Sequence, residues 1–183
     1  MPGLVVIVTG PPGAGKSTTA RSLATLYARA VHLYTDDFWH YIVAGGIAPY
    51  LPAADSQNHT VVKVIAGAAA TYAQGGFTVV VDGIVGPWML HHYRQVLAEH
   101  PDVVGHWVVL RPSRAVTLAR AQQRTAADAL IDAEPILSLW DQFADLGDLE
   151  THTIDTTDQS PEDTVRAVAD AVRDGRHRLE TRD

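Results

Sequence analysis

The sequence predicts an α/β fold, with five parallel strands in one sheet and helices on both faces, making three layers. Two observations carry this. Five apolar runs rich in β-branched residues, 4–9, 31–34, 77–81, 103–110 and 151–154, alternate with segments of helical pattern. That alternation belongs to a parallel sheet buried on both sides. The first run also leads without a break into a glycine-rich turn that holds one lysine, and a helical segment leaves that turn.

Each element has its own local reason. Residues 16–29 read as a helix because composition favours it and Leu23 and Leu26 fall at helical spacing. Further helices are expected over about 58–74, 89–99, 114–124, 134–146 and 161–173. Gly75 and Gly76 stop the second of these six, and Ser160-Pro161-Glu162-Asp163 opens the last with a cap and a proline at the first helical position. The alanine-rich stretch 66–73 reads as a tightly packed helix. Two segments interrupt the alternation: 36–57, rich in aromatics, Gly and Pro, and the polar link 125–133. In such folds ligands sit outside the carboxyl ends of the strands, where insertions close over them. We therefore expect a single domain over 1–183, with an insertion on one side of the site at about 36–57 and a short lid at about 120–134.

Composition excludes several classes of function. The 183 residues suffice for one hydrophobic core, and 46% of them are apolar. A formal charge of −7 argues against a nucleic-acid surface, since Lys16 and Lys63 are the only lysines. No cysteine occurs, so disulfides and thiolate metal sites are absent. Neither a secretory leader nor an apolar run of spanning length is read, and the expected location is the cytoplasm, with no membrane partner.

The chemistry starts at the turn. Gly10, Pro11, Pro12, Gly13, Ala14, Gly15, Lys16 and Ser17 complete the pattern G-x-x-x-x-G-K-[ST] between a buried strand and a helix, the context that a phosphate-binding loop requires. The glycines let the backbone curl so that N–H groups point at an anion, and the helix N-terminus adds partial positive charge. Lys16 would reach the β and γ phosphates, Ser17 would be a ligand of Mg²⁺, and Thr18 follows in the same turn of helix. The fold expectation thus sharpens to a P-loop NTPase.

Other residues gather around that loop. Asp36 and Asp37 follow the second apolar run, at a strand's carboxyl end, where one of them could take a proton from an acceptor hydroxyl; the competing reading is an N-cap for a helix starting near Phe38. Asp82 ends the third run and is expected to hold Mg²⁺, with a turn-forming Asp-Gly as the competitor. Arg111, Arg120 and Arg124 offer donors to phosphate oxygens or planes for stacking, or form a solvated basic face; Arg120 and Arg124 share a helix face. Phe38, Trp39, Tyr41, Tyr50 and Trp88 could wall an acceptor pocket with Asp36, or plug the core under a long loop. The histidines, His40, His59, His91 and His92 among them, show no metal-site spacing and read as surface or capping residues.

Taken together, the loop, Asp36 after the second strand, the Val-Val-Val-Asp82 strand end, the arginine-bearing helix and Ile154-Asp155-Thr156-Thr157 before a proline-started helix resemble the small P-loop phosphotransferases that include chloramphenicol phosphotransferase, shikimate kinase and gluconate kinase. The resemblance covers nearly the whole chain. It implies transfer of the ATP γ phosphate, with Mg²⁺, to a hydroxyl of a small molecule. It further implies Asp36 as general base with Asp37 as the alternative, Arg120 and Arg124 near the nucleotide or the transferring phosphate, and Asp155, Thr156 and Thr157 at the adenine end. Asp36-Asp37-Phe38 is also similar to the acidic motif of uridine kinase-like enzymes. A nucleoside or nucleotide kinase is therefore one alternative, and an ATP-binding regulatory switch module is another of a different class.

Overall fold

Burial along both edges as well as both faces makes the first strand the axis of the molecule. In the computed structural model, which describes residues 2–125 and 130–181, β1 (Gly3–Thr9) pairs in parallel with β3 (Thr78–Asp82) on one side and with β4 (Val103–Leu110) on the other. The outer strands are β2 (Ala30–Tyr34), beside β3, and the two-residue β5 (Thr153–Ile154), beside β4. All four pairings are parallel and the order is β2-β3-β1-β4-β5.

Alternation along the strands divides the apolar residues between two cores. Val5, Ile7, Val79, Val81, Trp107 and Val109 face a core shared with α3 (Asp55–Gln74) and α4 (Leu90–Glu99). Val6, Val8, Val80, Val108 and Leu110 face a core shared with α1 (Lys16–Ala24) and α7 (Pro161–Arg173). The result is the three-layer α/β/α P-loop fold. Helix α3 lies close on the sheet because its inner stripe is small: Ala66, Ala69, Ala70 and Ala73 are buried. A Cβ placed on Gly3 would come within 2.9 Å of the Ala73 carbonyl oxygen.

Element ends differ from expectation for visible reasons. Helix α1 stops at Ala24 rather than near 29, because the chain must turn into β2; Leu26 is left 61% exposed in that turn. The insertion after β2 holds a short helix, α2 (Asp36–His40), and a 3₁₀ turn, Pro52–Ala54, that starts α3 three residues earlier than Asn58. Helices α5 (Arg114–Gln122) and α6 (Ala133–Asp141) follow β4. The segment expected to continue α6 to 146 instead turns at Phe143, whose carbonyl is taken by Arg111. Residues 147–152 wind into a 3₁₀ helix, which shortens β5. The link read as a lid falls partly on 126–129, outside the described residues. Among the described residues no helix is long and apolar enough to cross a membrane.

The loop after β1 needs glycine for two different reasons. Gly10 has φ +138°, and a Cβ there would sit 2.1 Å from the Leu110 carbonyl oxygen. Gly15 has φ +88° but open space around it. Left-handed backbone costs an L-residue about 1 kcal/mol, so Gly15→Ala should lower the melting temperature by about 2–4 °C for a chain of this size. Gly10→Ala, which adds a clash with backbone, should lower it by at least twice as much in the same thermal unfolding measurement.

Candidate active site

Loop, strand ends and α1 converge at the carboxyl edge of the sheet. Gly15 caps α1 in the left-handed conformation, and no acidic side chain lies in the first turn, so the partial positive charge of the helix N-terminus is left without a local countercharge. Ser17 and Thr18 lie in that turn, with Thr18 exposed and Ser17 half-buried. The Lys16 ammonium folds back and donates to the Pro11 carbonyl at 3.0 Å, within the loop's own curve. Burial pulls it down to about 8; Asp82 and Asp36 draw it up, and Arg124 pushes it further down. Lys16 therefore lies in the fields of both carboxylates and of Arg124.

The two carboxylates reach the site from neighbouring strands. Asp82 is fully buried at the end of β3; its Oδ2 lies 3.3 Å from His32 Nε2, and its Oδ1 has no hydrogen-bond partner among the described residues. Tyr34, opposite Asp82 in the β2–β3 register, donates its hydroxyl to Asp36 Oδ2 at 2.8 Å. Burial raises the Tyr34 phenol well above its ordinary range, and the bond to Asp36 adds to the shift. Asp36 and Asp37 both occupy the first turn of α2, whose N-cap is Thr35. Neither aspartate is the cap. Asp36, and not Asp37, accepts from Tyr34.

On the far side of the loop, Arg120 spans from α5 to the segment after β5, donating to the carbonyls of Thr156 at 3.3 Å and Thr157 at 3.2 Å. Asp155 accepts from the Thr157 N–H at 2.9 Å, and hydrogen bonds from the Thr157 hydroxyl and N–H hold the Asp155 carboxyl below its usual range. The Thr157 hydroxyl accepts from the Ser113 N–H at 2.9 Å, and Thr156 is buried. Residues 155–157 thus form a braced rim beside the end of β4. Arg111 is occupied elsewhere. It donates to the Phe143 carbonyl at 2.8 Å, to the Ala144 carbonyl at 3.2 Å and to the Glu150 carboxylate.

The aromatic residues divide. Phe38 and Trp39 are half-buried against the core on the α3 side, and the Trp39 indole donates to Asn58 Oδ1 at 2.9 Å. Asn58 and Gln57, in the opening turns of α3, also hold the Pro49 and Ile47 carbonyls at 2.7 Å each, so the insertion is tied to that helix. Tyr41 and Tyr50 stay 71% and 61% exposed. Trp88 packs on Phe143 with ring centroids 5.9 Å apart.

A family model described as an AAA domain matches residues 5–145, from β1 through α6. The chain belongs to the AAA domain family. No curated protein matches it. Solved structures share the fold. A tunicamycin resistance protein from Deinococcus radiodurans is 14% identical with a TM-score of 0.67, over 97% of this chain and 98% of that one. A gluconokinase from Sinorhizobium meliloti is 20% identical with a TM-score of 0.68, over 94% and 93% of the two chains. A shikimate kinase from Acinetobacter baumannii, solved with shikimate, is 20% identical with a TM-score of 0.66, over 96% and 95%. Asp155, Thr156 and Thr157 lie beyond the AAA domain match.

Sequence reasoning passed over His32 and Tyr34, two polar residues on one face of an otherwise apolar strand, and that parity was the available signal. It also read the histidines singly. In the structure His59 of α3 meets His91 and His92 of α4. Burial, with His91, His59 and Lys63 nearby, holds the His92 imidazolium below its ordinary range.

Arg111 separates a structural from a nucleotide-binding role. Arg111→Ala removes the donor to two carbonyls and to Glu150 and should destabilise the protein by roughly 1–3 kcal/mol, read by denaturant unfolding. Nucleotide affinity, measured by calorimetry well below the melting temperature, should stay within about twofold of the parent, a difference of under 0.5 kcal/mol.

Proposed function

We propose that this protein is an ATP-dependent phosphotransferase that moves the γ phosphate, with Mg²⁺, to a hydroxyl of a small molecule. One observation carries the reading: Lys16 of the phosphate-binding loop lies in the fields of Asp36 from α2, Asp82 from the end of β3 and Arg124 from the residues just after α5. Two cations beside two carboxylates suit a reaction that must hold a highly charged donor and also accept a proton. The shared fold with a gluconokinase and a shikimate kinase supports the same class. ATP use would place the reaction in the cytoplasm.

The residues divide the labour by position. The loop amides and the α1 N-terminus bind the phosphates, and Lys16 leaves the Pro11 carbonyl to meet the β and γ oxygens. Ser17 and Asp82 would hold Mg²⁺; the buried, unpartnered Asp82 Oδ1 fits a cation or its water shell. That ion would supply charge neutralisation on the phosphates. Asp36, oriented by Tyr34, takes the proton from the acceptor hydroxyl as it attacks in line. Arg124 and Arg120 stand on the side of the donor, and the rim at 155–157 would line the adenine end of the nucleotide. Phe38, Trp39, Tyr41, Tyr50 and Trp88 are the apolar surface offered to the acceptor.

Asp36→Asn should leave nucleotide affinity intact and lower kcat by about 10²–10⁴-fold on any acceptor that the parent phosphorylates. The acceptor itself is sought by following ATP consumption with polyols, shikimate-like acids, nucleosides and hydroxylated antibiotics. Full activity in Asp36→Asn would remove the base assignment. ATP binding without transfer to any acceptor would favour the regulatory-switch alternative. Tyr34→Phe should cost roughly tenfold in kcat, the equivalent of one hydrogen bond of about 1.4 kcal/mol.

Lys16 sets a pH dependence. In the free protein its ammonium titrates at about 8, and phosphates beside it raise that value. Binding therefore takes up a proton where free Lys16 is partly neutral, and affinity declines as pH climbs through about 8. Calorimetry near pH 8 in two buffers of different ionisation enthalpy should show this uptake. More acidic solution should show little, because Lys16 is already charged there.

A further inference from the structure

Away from the phosphate-binding loop, three imidazoles share one point between two helices. His59 lies in the second turn of α3, and His91 and His92 lie in the first turn of α4. One nitrogen from each lies within 4.8 Å of the others. His59 Nδ1 and His92 Nε2 face each other at 2.9 Å, and the His91 and His92 ring centroids are 3.9 Å apart. The helices that carry them are fixed by core residues on the same turns: Val62 is 2% exposed, and Leu90 and Tyr93 are 0% and 2% exposed.

The arrangement has the chemistry of a metal centre. Imidazole nitrogens select Zn²⁺ and its neighbours in the first transition series and do not suit Mg²⁺, which takes oxygen. Two ligands on a tetrahedral ion with bonds of about 2.0–2.1 Å stand roughly 3.3 Å apart. The His59–His92 pair needs only a small opening to reach that spacing. The other nitrogen of His59, Nε2, faces Asp55 Oδ1 at 3.6 Å, one turn back along α3. A carboxylate on the far ring nitrogen is how metal-binding histidines are oriented. Lys63, one turn further along α3, is the opposing charge. His91 is exposed, which leaves a coordination position open to water.

We propose that His59, His91 and His92 form a three-histidine site for a divalent transition metal, with Zn²⁺ the best fit, water as the fourth ligand and Asp55 orienting His59. The site uses none of the residues assigned to the nucleotide or its Mg²⁺. Its position has a consequence, because Asn58, next to His59, carries the bond to Trp39. A bound metal would stiffen the turn that anchors the insertion after β2.

The test uses untagged, full-length, chelator-stripped protein without nucleotide. Titration with ZnCl₂ should show saturable one-to-one binding, unaffected by excess Mg²⁺, and should raise the melting temperature. His92→Ala and His59→Gln should each weaken binding more than tenfold, and Asp55→Asn about tenfold. His100→Ala, at a histidine outside the cluster, should bind as the parent does. Unfolding curves recorded without metal establish that each variant is folded. The absence of one-to-one binding, or parental affinity in a folded His59→Ala/His92→Ala variant, overturns the site.

Discussion

Burial of β1 on four sides is the constraint from which the rest of the molecule follows. A strand paired along both edges can end only by leaving the sheet at its carboxyl end, between the ends of its two neighbours. Here those neighbours are β3, which ends in Asp82, and β4, which runs on into Arg111. The loop must turn within that gap, and Gly10 passes so near the Leu110 carbonyl that no side chain fits. Because the next strand in sequence, β2, lies beyond β3, α1 crosses the sheet above β3 and brings the loop's helix over Asp82. Position in the sheet therefore places an anion-binding helix end, a lysine and a buried carboxylate together without any long-range design of loops.

That meeting has an electrostatic cost, and Lys16 carries it. An ammonium crowded by protein and by Arg124 loses solvation faster than Asp82 and Asp36 repay it, so it titrates at about 8. Its contact with the Pro11 carbonyl is a weak substitute for phosphate oxygens. Two arginines on neighbouring elements show the opposite arrangement. Arg111 and Arg114 are each neutralised by a carboxylate, Glu150 and Asp141, and brace the elements around the site.

What the sequence made legible was local. Strand runs, the P-loop pattern, the Ser160 cap and the alanine stripe of α3 depend on neighbours within one or two turns, and each is found where periodicity puts it. The illegible features depend on pairs far apart in the chain. Arg111 could be read as a phosphate ligand until the turn at Phe143 brought two carbonyls and Glu150 to it across more than 30 residues. His59 and His92 are separated by 33 residues and meet only because α3 and α4 lie side by side on one face of the sheet. The end of α1 failed for a different reason: Leu26 keeps helical spacing, but the distance to β2 leaves no room for another turn.

The same geometry separates two adjacent aspartates that composition cannot rank. Successive residues in a helical turn point about 100° apart, so Asp36 and Asp37 cannot both face the loop. Tyr34 selects between them. Its phenol, held well above its ordinary range chiefly by burial, stays a donor throughout the neutral range and fixes Asp36 Oδ2 at 2.8 Å. That bond takes one carboxylate oxygen, Oδ2, and leaves Oδ1 outside it. A carboxylate held by one oxygen and open on the other would keep its orientation through the proton transfer proposed for Asp36, which an unbraced carboxylate on a five-residue helix would not.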